Sequence, residues 1–400
     1  MHIGSVSLST PFGIAPMAGM TDSAFRRLVK RRGGCGLVVT EMVSAEGLVR
    51  GMDRTLEFAE YTEEEHPIAI QIFGGDPERM ARAAQIVEQL GADIVDVNMG
   101  CPVPKIARQT AGCRLMREPE HAARIVSAMT RAVRIPVTVK MRAGWSNDER
   151  NAPELARRVE DAGAAAVAVH GRTAEQSYSG KADWTLVAQI ARERTIPIFG
   201  SGDCTEPEQI VERWRSGIGG VLVGRGVLRN PWLLAQAADR AAGRQPLCVS
   251  LADSGRFLLE YVDLLLSERV RPAMADRICA IAGGLPMTAD AREAPGSREQ
   301  SASGPPHDRW VINKIRALSA WYTKGFENGS RLRVAINAAR SLSELREIIT
   351  EFFLEPSVAQ DGAARPQECS RVGISSAGGL IDVGSDRHGA HSNRRQPIDG

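Results

Sequence analysis

Eight times between residues 13 and 225 the chain repeats one unit, a short run rich in β-branched residues followed by a segment with helical apolar spacing. The runs are GIAPMAG at 13, LVVTEM at 37, IAIQIFG at 68, IVDVNMG at 94, VTVKMR at 137, AVAVHG at 166, IPIFGSGD at 196 and GVLVGRG at 220. Each is apolar on both faces, as parallel strands covered by helices must be. The intervening segments, such as DPERMARAAQIVEQLGA, carry apolar residues at helical spacing and end near glycine. Eight such units in one stretch predict a (β/α)8 TIM barrel over residues 1–243, in preference to an open doubly wound sheet.

Past residue 240 the strand signal stops. FLLEYVDLLLSERV, RWVINKIRALSAWYTKG and LRVAINAARSLSELREIITEFF read as amphipathic helices, so a small helical domain is expected over 244–356. It is interrupted near 283–307 by a Gly-, Pro- and Ser-rich stretch, read as a flexible insertion. Residues 357–400, poor in large apolar side chains, read as a disordered tail.

Composition narrows the partners. Fifty Lys and Arg nearly balance 48 Asp and Glu, so a polyanion would have to be met by a local basic patch. Seven cysteines without CxxC or CxxxH spacing argue against a disulfide framework and against a structural metal. The thiols are expected to be reduced, as in a cytosol. The start MHIGSVSLSTPFG lacks the pattern of a leader, and no stretch approaches the ~20 apolar residues of a membrane span. A cytoplasmic protein with no membrane partner is the expectation.

In a barrel of this kind the C-terminal strand ends converge on one mouth, where chemistry is sited. Read in order, those ends supply Pro16 and Met17, Glu41, Gln71, Asn98 with Cys101, Lys140 and Arg142, His170 with Arg172, Ser201 to Asp203, and Gly224 with Arg225. Strands must end somewhere, and that accounts for a scattering of Ser, Asp or Gly. It does not account for a Gln, an Asn, a Lys and a His closing otherwise apolar strands. Buried without partners, such groups cost about 1 to 3 kcal/mol each, which a polar ligand would recover. The glycine-bearing loops FGSGD and VGRG follow adjacent strands seven and eight, where barrels commonly hold phosphate, and Arg225 is placed to pair with it. Spacing leaves open whether the ligand is a sugar phosphate or a nucleotide cofactor.

Cys101 lies between Gly100 and Pro102, on a turn at the mouth. Cys35, Cys204, Cys248 and Cys279 read instead as small buried hydrophobes, and Cys113 stays open.

Five stretches, APMAGMTDSAFRR, DVNMGCPVPK, VTVKMRAGW, HGRTAEQSYSGKADW and GVLVGRGVLRNPW, together resemble the tRNA-dihydrouridine synthases, most closely the bacterial B-type subgroup. The resemblance runs in matching order from residue 5 to about 240 and returns at WYTKGFENGSRLRVAIN. It implies an FMN-bound barrel whose reduced flavin passes hydride to a tRNA uridine, NADPH as electron donor, and a helical domain that grips tRNA. Carried over by position, the flavin contacts fall on Pro16, Met17, Ala18, Gln71, Lys140, Ser201, Gly202, Asp203, Gly224 and Arg225, and the general acid on Cys101.

The residue types suit that chemistry. Saturating the uracil 5,6 bond takes hydride at one carbon and a proton at its neighbour. A thiol with a pKa near about 8.5 carries that proton at neutral pH. Asn98 is read as a contact to the uracil edge and His170 as orienting flavin or base, although either residue type equally caps a neighbouring loop. Arg172 and Tyr178 are read as contacts to tRNA phosphate and base, against a plain solvated loop. Glu41 is left outside the site. Where relatives carry Asn in the phosphate loop this chain has Ser201, so weaker flavin binding is expected.

Between 309 and 346 eight basic residues face two acidic ones, a stripe that suits RNA phosphates or merely a solvated face. Tyr322 shares a helical face with Val311, Ile315 and Leu318, so it is expected in the core. Two other readings stand beside the leading one: an FMN barrel acting on a small metabolite such as a free pyrimidine, and a non-catalytic RNA-binding barrel.

Overall fold

Nine parallel strand segments close into one ring. A computed structural model describes residues 1–103, 106, 110–267 and 306–355. An antiparallel hairpin, β1 (His2–Ile3) and β2 (Val6–Ser7), precedes β3 (Phe12–Ile14), β4 (Val38–Val39), β5 (Val43–Ser44), β6 (Ile68–Phe73), β7 (Ile94–Met99), β8 (Val137–Arg142), β9 (Ala166–His170), β10 (Ile198–Ser201) and β11 (Gly220–Val223). The order β3-β11-β10-β9-β8-β7-β6-β4 is joined end to end by a parallel bridge between Gly13 and Leu37. Gly13 is required there, because a Cβ would stand 2.6 Å from the Leu37 carbonyl oxygen. The (β/α)8 barrel expected from the eight runs is therefore the observed fold.

The second run departs from a plain strand. LVVTEM gives β4, then an irregular Thr40–Met42, then β5, and both halves pair with β6. Buried Thr40 causes part of this: its hydroxyl accepts from the Gln71 amide at 3.1 Å, the place of a ladder partner. Inside the ring, Ile3 of the hairpin packs with Leu37, Val39, Ala69, Ile94, Phe199 and Leu222, so β1–β2 stops the N-terminal end of the barrel.

The helices begin and end where local chemistry says they should. Those between strands are α1 (Ser23–Arg31), α2 (Ala45–Val49), α3 (Asp53–Leu56), α4 (Pro77–Leu90), α5 (Pro119–Ala132), α6 (Ala152–Asp161), α7 (Trp184–Glu193) and α8 (Pro207–Arg215). Asp22, Asp76 and Asp183 cap α1, α4 and α7 by accepting a first-turn amide, and α4 stops at Gly91 with φ +93. After β11 come α9 (Arg225–Arg229), α10 (Leu233–Ala241), α11 (Leu251–Ser267), α12 (Pro306–Tyr322), α13 (Gly329–Ala338) and α14 (Leu342–Phe353).

The last four helices pack on one another and on the barrel's first helix. Phe257 of α11 meets Phe25 of α1 edge to face at 6.2 Å and stacks on Tyr322 of α12 at 5.7 Å. Tyr322 is fully buried, as expected, and its hydroxyl donates to the Ser254 carbonyl at 2.9 Å. Across the junction, the Tyr261 hydroxyl donates to Asp22 at 2.8 Å and Lys314 pairs with the same carboxylate at 3.0 Å.

Of the expected insertion at 283–307, all but the last two residues lie outside the described residues, and so do the tail from 357 and Cys279. Cys35 and Cys204 are buried as read. Cys248 is not: it is exposed and disulfide-bonded, which corrects its reading as a reduced core thiol. Among the described residues no helix is long and apolar enough to cross a membrane.

Candidate active site

Parallel register brings the strand-end residues to one level. Gln71 pairs with Asp96, Asn98 with Lys140, and Arg142 with His170, which in turn pairs with Ser201. Pro16 and Met17 are half-buried on the loop after β3, and Ala18 is exposed. Met17 meets the end of the neighbouring last strand, since a Cβ on Gly224 would stand 3.5 Å from its sulfur. The rim is therefore continuous from the first strand round to the last.

Cys101 is half-buried at this rim, and its turn is held from three sides. Its amide donates to Asn98 Oδ1 at 3.0 Å, its carbonyl accepts from the Cys113 amide at 3.1 Å, and Arg142 Nε donates to the Gly100 carbonyl at 2.8 Å. Burial raises its pKa, so the thiol keeps its proton at neutral pH although Arg142 and Lys140 pull the other way. Cys113, the open case, is 1% exposed beneath that turn. Asn98, read as a uracil contact, spends both ends of its amide inside the protein: Oδ1 on the turn, Nδ2 on Gln71 Oε1 at 2.8 Å.

The rim is strongly basic. Burial and the nearby Arg142 lower Lys140 to about 8. His170 is lowered to about 2 by burial and by Lys140, Arg142, Arg172 and Arg225 around it, so its imidazole is neutral at neutral pH. Four cations about one buried ring make a site for an anion.

The loop after β10 completes the rim. Gly202 has φ +121 and Asp203 φ +47, and Gly202 lies against His170, whose Nε2 would be 3.3 Å from an added Cβ. Arg172, expected at the tRNA surface, is only 3% exposed and turns inward: it donates to Asp203 at 2.7 Å and to the Ser179 and Gly180 carbonyls. The reason is charge. Asp203 would otherwise face the barrel with its other oxygen alone satisfied, by the Ala182 amide at 2.7 Å. Tyr178, from the same loop, is 60% exposed and carries the Arg225 guanidinium over its ring at 4.6 Å, with Trp321 of α12 5.5 Å from that cation.

A family model described as dihydrouridine synthase matches residues 13–268. The chain belongs to the dihydrouridine synthase family. It is 41% identical over 271 residues to a probable tRNA-dihydrouridine synthase of Rhodobacter capsulatus, covering 67% of this chain and 83% of that one. It is 41% identical over 243 residues to tRNA-dihydrouridine synthase B of Xanthomonas campestris, covering 60% and 73%. A probable tRNA-dihydrouridine synthase of Rickettsia prowazekii aligns at 37% over 357 residues, 88% of this chain and 98% of its own. As a member of this family the chain is an enzyme, an oxidoreductase.

In this dihydrouridine synthase one residue escapes a reading of strand ends, and another is read there but was set aside. Asp96, 5% exposed, lies inside β7 and accepts from Gln71 Nε2 at 2.7 Å and Thr138 Oγ1 at 2.6 Å. A carboxylate between two valines of a strand buried on both faces was the available signal. Glu41, left outside the site, is buried and accepts from the Gly19 amide, which pins the loop that carries Met17 and Ala18.

Proposed function

We propose that this chain reduces uridine to 5,6-dihydrouridine in tRNA, with FMN bound at the barrel mouth, NADPH as electron source and Cys101 as the acid. One observation carries the cofactor: His170 Nε2, Ser201 Oγ and Arg172 Nη1 are buried at the mouth with no hydrogen-bond partner. Leaving three such atoms unpaired costs about 1 to 3 kcal/mol each. A phosphate-bearing polar ring system offers acceptors for all three, in a rim whose cations favour an anion.

The reduced flavin, when bound, supplies the hydride. The protein does the rest. Pro16, Met17 and Ala18 would flank the isoalloxazine; Gln71, Lys140 and His170 would meet its polar edge; Ser201, Gly202, Asp203, Gly224 and Arg225 would receive the phosphate. Cys101 holds a proton at Sγ because burial disfavours its thiolate, and it gives that proton to the uracil carbon beside the one that takes hydride. Tyr178, exposed beside Arg225, offers a face to an RNA base, while Arg172 acts by holding the Asp203 loop. A uridine must leave its stack to reach this depth.

The division of labour follows: residues 1–243 carry the chemistry and 244–356 grip tRNA. Of the eight basic residues from 309 to 346, Lys314, Arg316 and Arg346 are engaged within the protein, whereas Arg309, Arg331 and Arg340 are exposed, as is Lys324, whose ammonium lies over the Trp321 ring at 4.2 Å. Purified protein is expected to be yellow, and tRNA from a deletion strain to lack dihydrouridine by mass spectrometry. Colourless protein or unchanged tRNA would overturn the reading. Cys101→Ala is expected to lose about a hundredfold or more in turnover while its flavin stays bound; loss of flavin instead would make the residue structural.

A further inference from the structure

We infer that Asp96 is a positioning residue, which sets the direction of a hydrogen-bond chain running through Gln71 and Asn98 to the Cys101 turn. The inference rests on Cys101 being the acid. Four bonds make up the chain: Thr138 Oγ1 and Gln71 Nε2 to Asp96, at 2.6 and 2.7 Å, Asn98 Nδ2 to Gln71 Oε1 at 2.8 Å, and the Cys101 amide to Asn98 Oδ1 at 3.0 Å.

An amide side chain has a donor end and an acceptor end, and in a buried strand pair nothing in its shape says which way round it lies. An ionised carboxylate only accepts. Facing Asp96, Gln71 must therefore present its NH2 group, which leaves Oε1 for Asn98. Asn98 must then present its own NH2, which leaves Oδ1 for the turn. The backbone of that turn offers donors, the amides of Gly100 and Cys101, at 3.3 and 3.0 Å. Reverse Asn98 alone and its NH2 group meets the N–H groups of the turn; reverse Gln71 alone and its NH2 group meets that of Asn98 while its oxygen faces the carboxylate. Asp96 acts without touching substrate, two side chains away from the thiol it places.

Protonating Asp96 would give it a donor and remove the constraint. The groups facing it are Gln71 on β6 and Thr138 and Lys140 on β8; burial, the largest influence, raises its pKa overall, while Gln71, Thr138 and Lys140 favour the carboxylate. Turnover should therefore have a low-pH limb that belongs to Asp96.

The test uses the flavin-loaded full-length enzyme with unmodified tRNA across a pH series. Asp96→Asn keeps the shape but has both a donor and an acceptor. It is expected to lower kcat about tenfold or more, to leave KM for tRNA within about twofold and flavin content unchanged, and to abolish the low-pH limb. Thr138→Val removes a donor to the carboxylate, so its limb should move to higher pH. Asp96→Asn with the wild-type kcat and pH profile would overturn the inference. Should Asp96→Asn not fold, an unmoved limb in Thr138→Val overturns it alone. A wild-type enzyme that forms no dihydrouridine removes the reading beneath, whereas an active wild type with unaffected variants removes only this inference.

Discussion

Burial pushes Cys101 and Lys140 in opposite directions, each toward its neutral form, and at neutral pH the two end with different charges. The thiol stays protonated, and the amine, lowered to about 8, is still mostly a cation. An anionic flavin beside Lys140 would need that cation. Between about pH 7 and 8 it is already largely present and the FMN phosphate, with a second pKa of about 6, is almost fully ionised, so FMN affinity should be nearly flat with pH. Above pH 8 the lysine must first take up a proton, and affinity should fall by up to about tenfold per pH unit. Titrating apoprotein with FMN by fluorescence would show this, and Lys140→Met should bind more weakly and lose the slope. At this scale the sequence named the residue types well and their partners poorly. Cys101 and Lys140 follow from position at a strand end. That Arg172 faces Asp203, or that Asn98 has both ends occupied, depends on which strands lie beside one another.

The loop after β10 shows what an element contributes beyond its side chains. Gly202 has φ +121, and a Cβ there would stand 2.6 Å from Ala182 Cβ. Gly202→Ala is expected to cost about 1 to 3 kcal/mol of stability. A lower Tm, with flavin lost on gel filtration, is the outcome to look for; unchanged flavin content would take the loop out of the cofactor site. The glycine pair was legible in FGSGD, but the inward ion pair of Arg172 with Asp203 that stiffens the loop was not. The second strand makes the same point. Its apolar run reads as one β-strand, yet Thr40 bonds the Gln71 amide and breaks it in two.

The helices after the barrel dock on its first helix through Phe257, Tyr261 and Lys314, and they leave the cations of Arg309, Lys324, Arg331 and Arg340 exposed. If those cations meet RNA phosphate, tRNA affinity should fall steeply with salt. The double variant Lys324→Ala, Arg331→Ala should then reduce the slope of log K against log salt by about 1.5. Filter binding over a salt series measures it, and an unchanged slope would place tRNA elsewhere.

The amino-acid order by itself determined the eight-fold repeat, the rim residues, the helical character of the described segments after residue 250 and the burial of Tyr322, because each is written in the periodicity of one short segment. Only the tertiary structure decided how the ring closes at Gly13 and Leu37, which way Arg172 turns, that Cys248 is disulfide-bonded, and how Asp96 is wired to Cys101. Those depend on neighbours tens of residues apart, and a hydrogen bond is specified by both its ends.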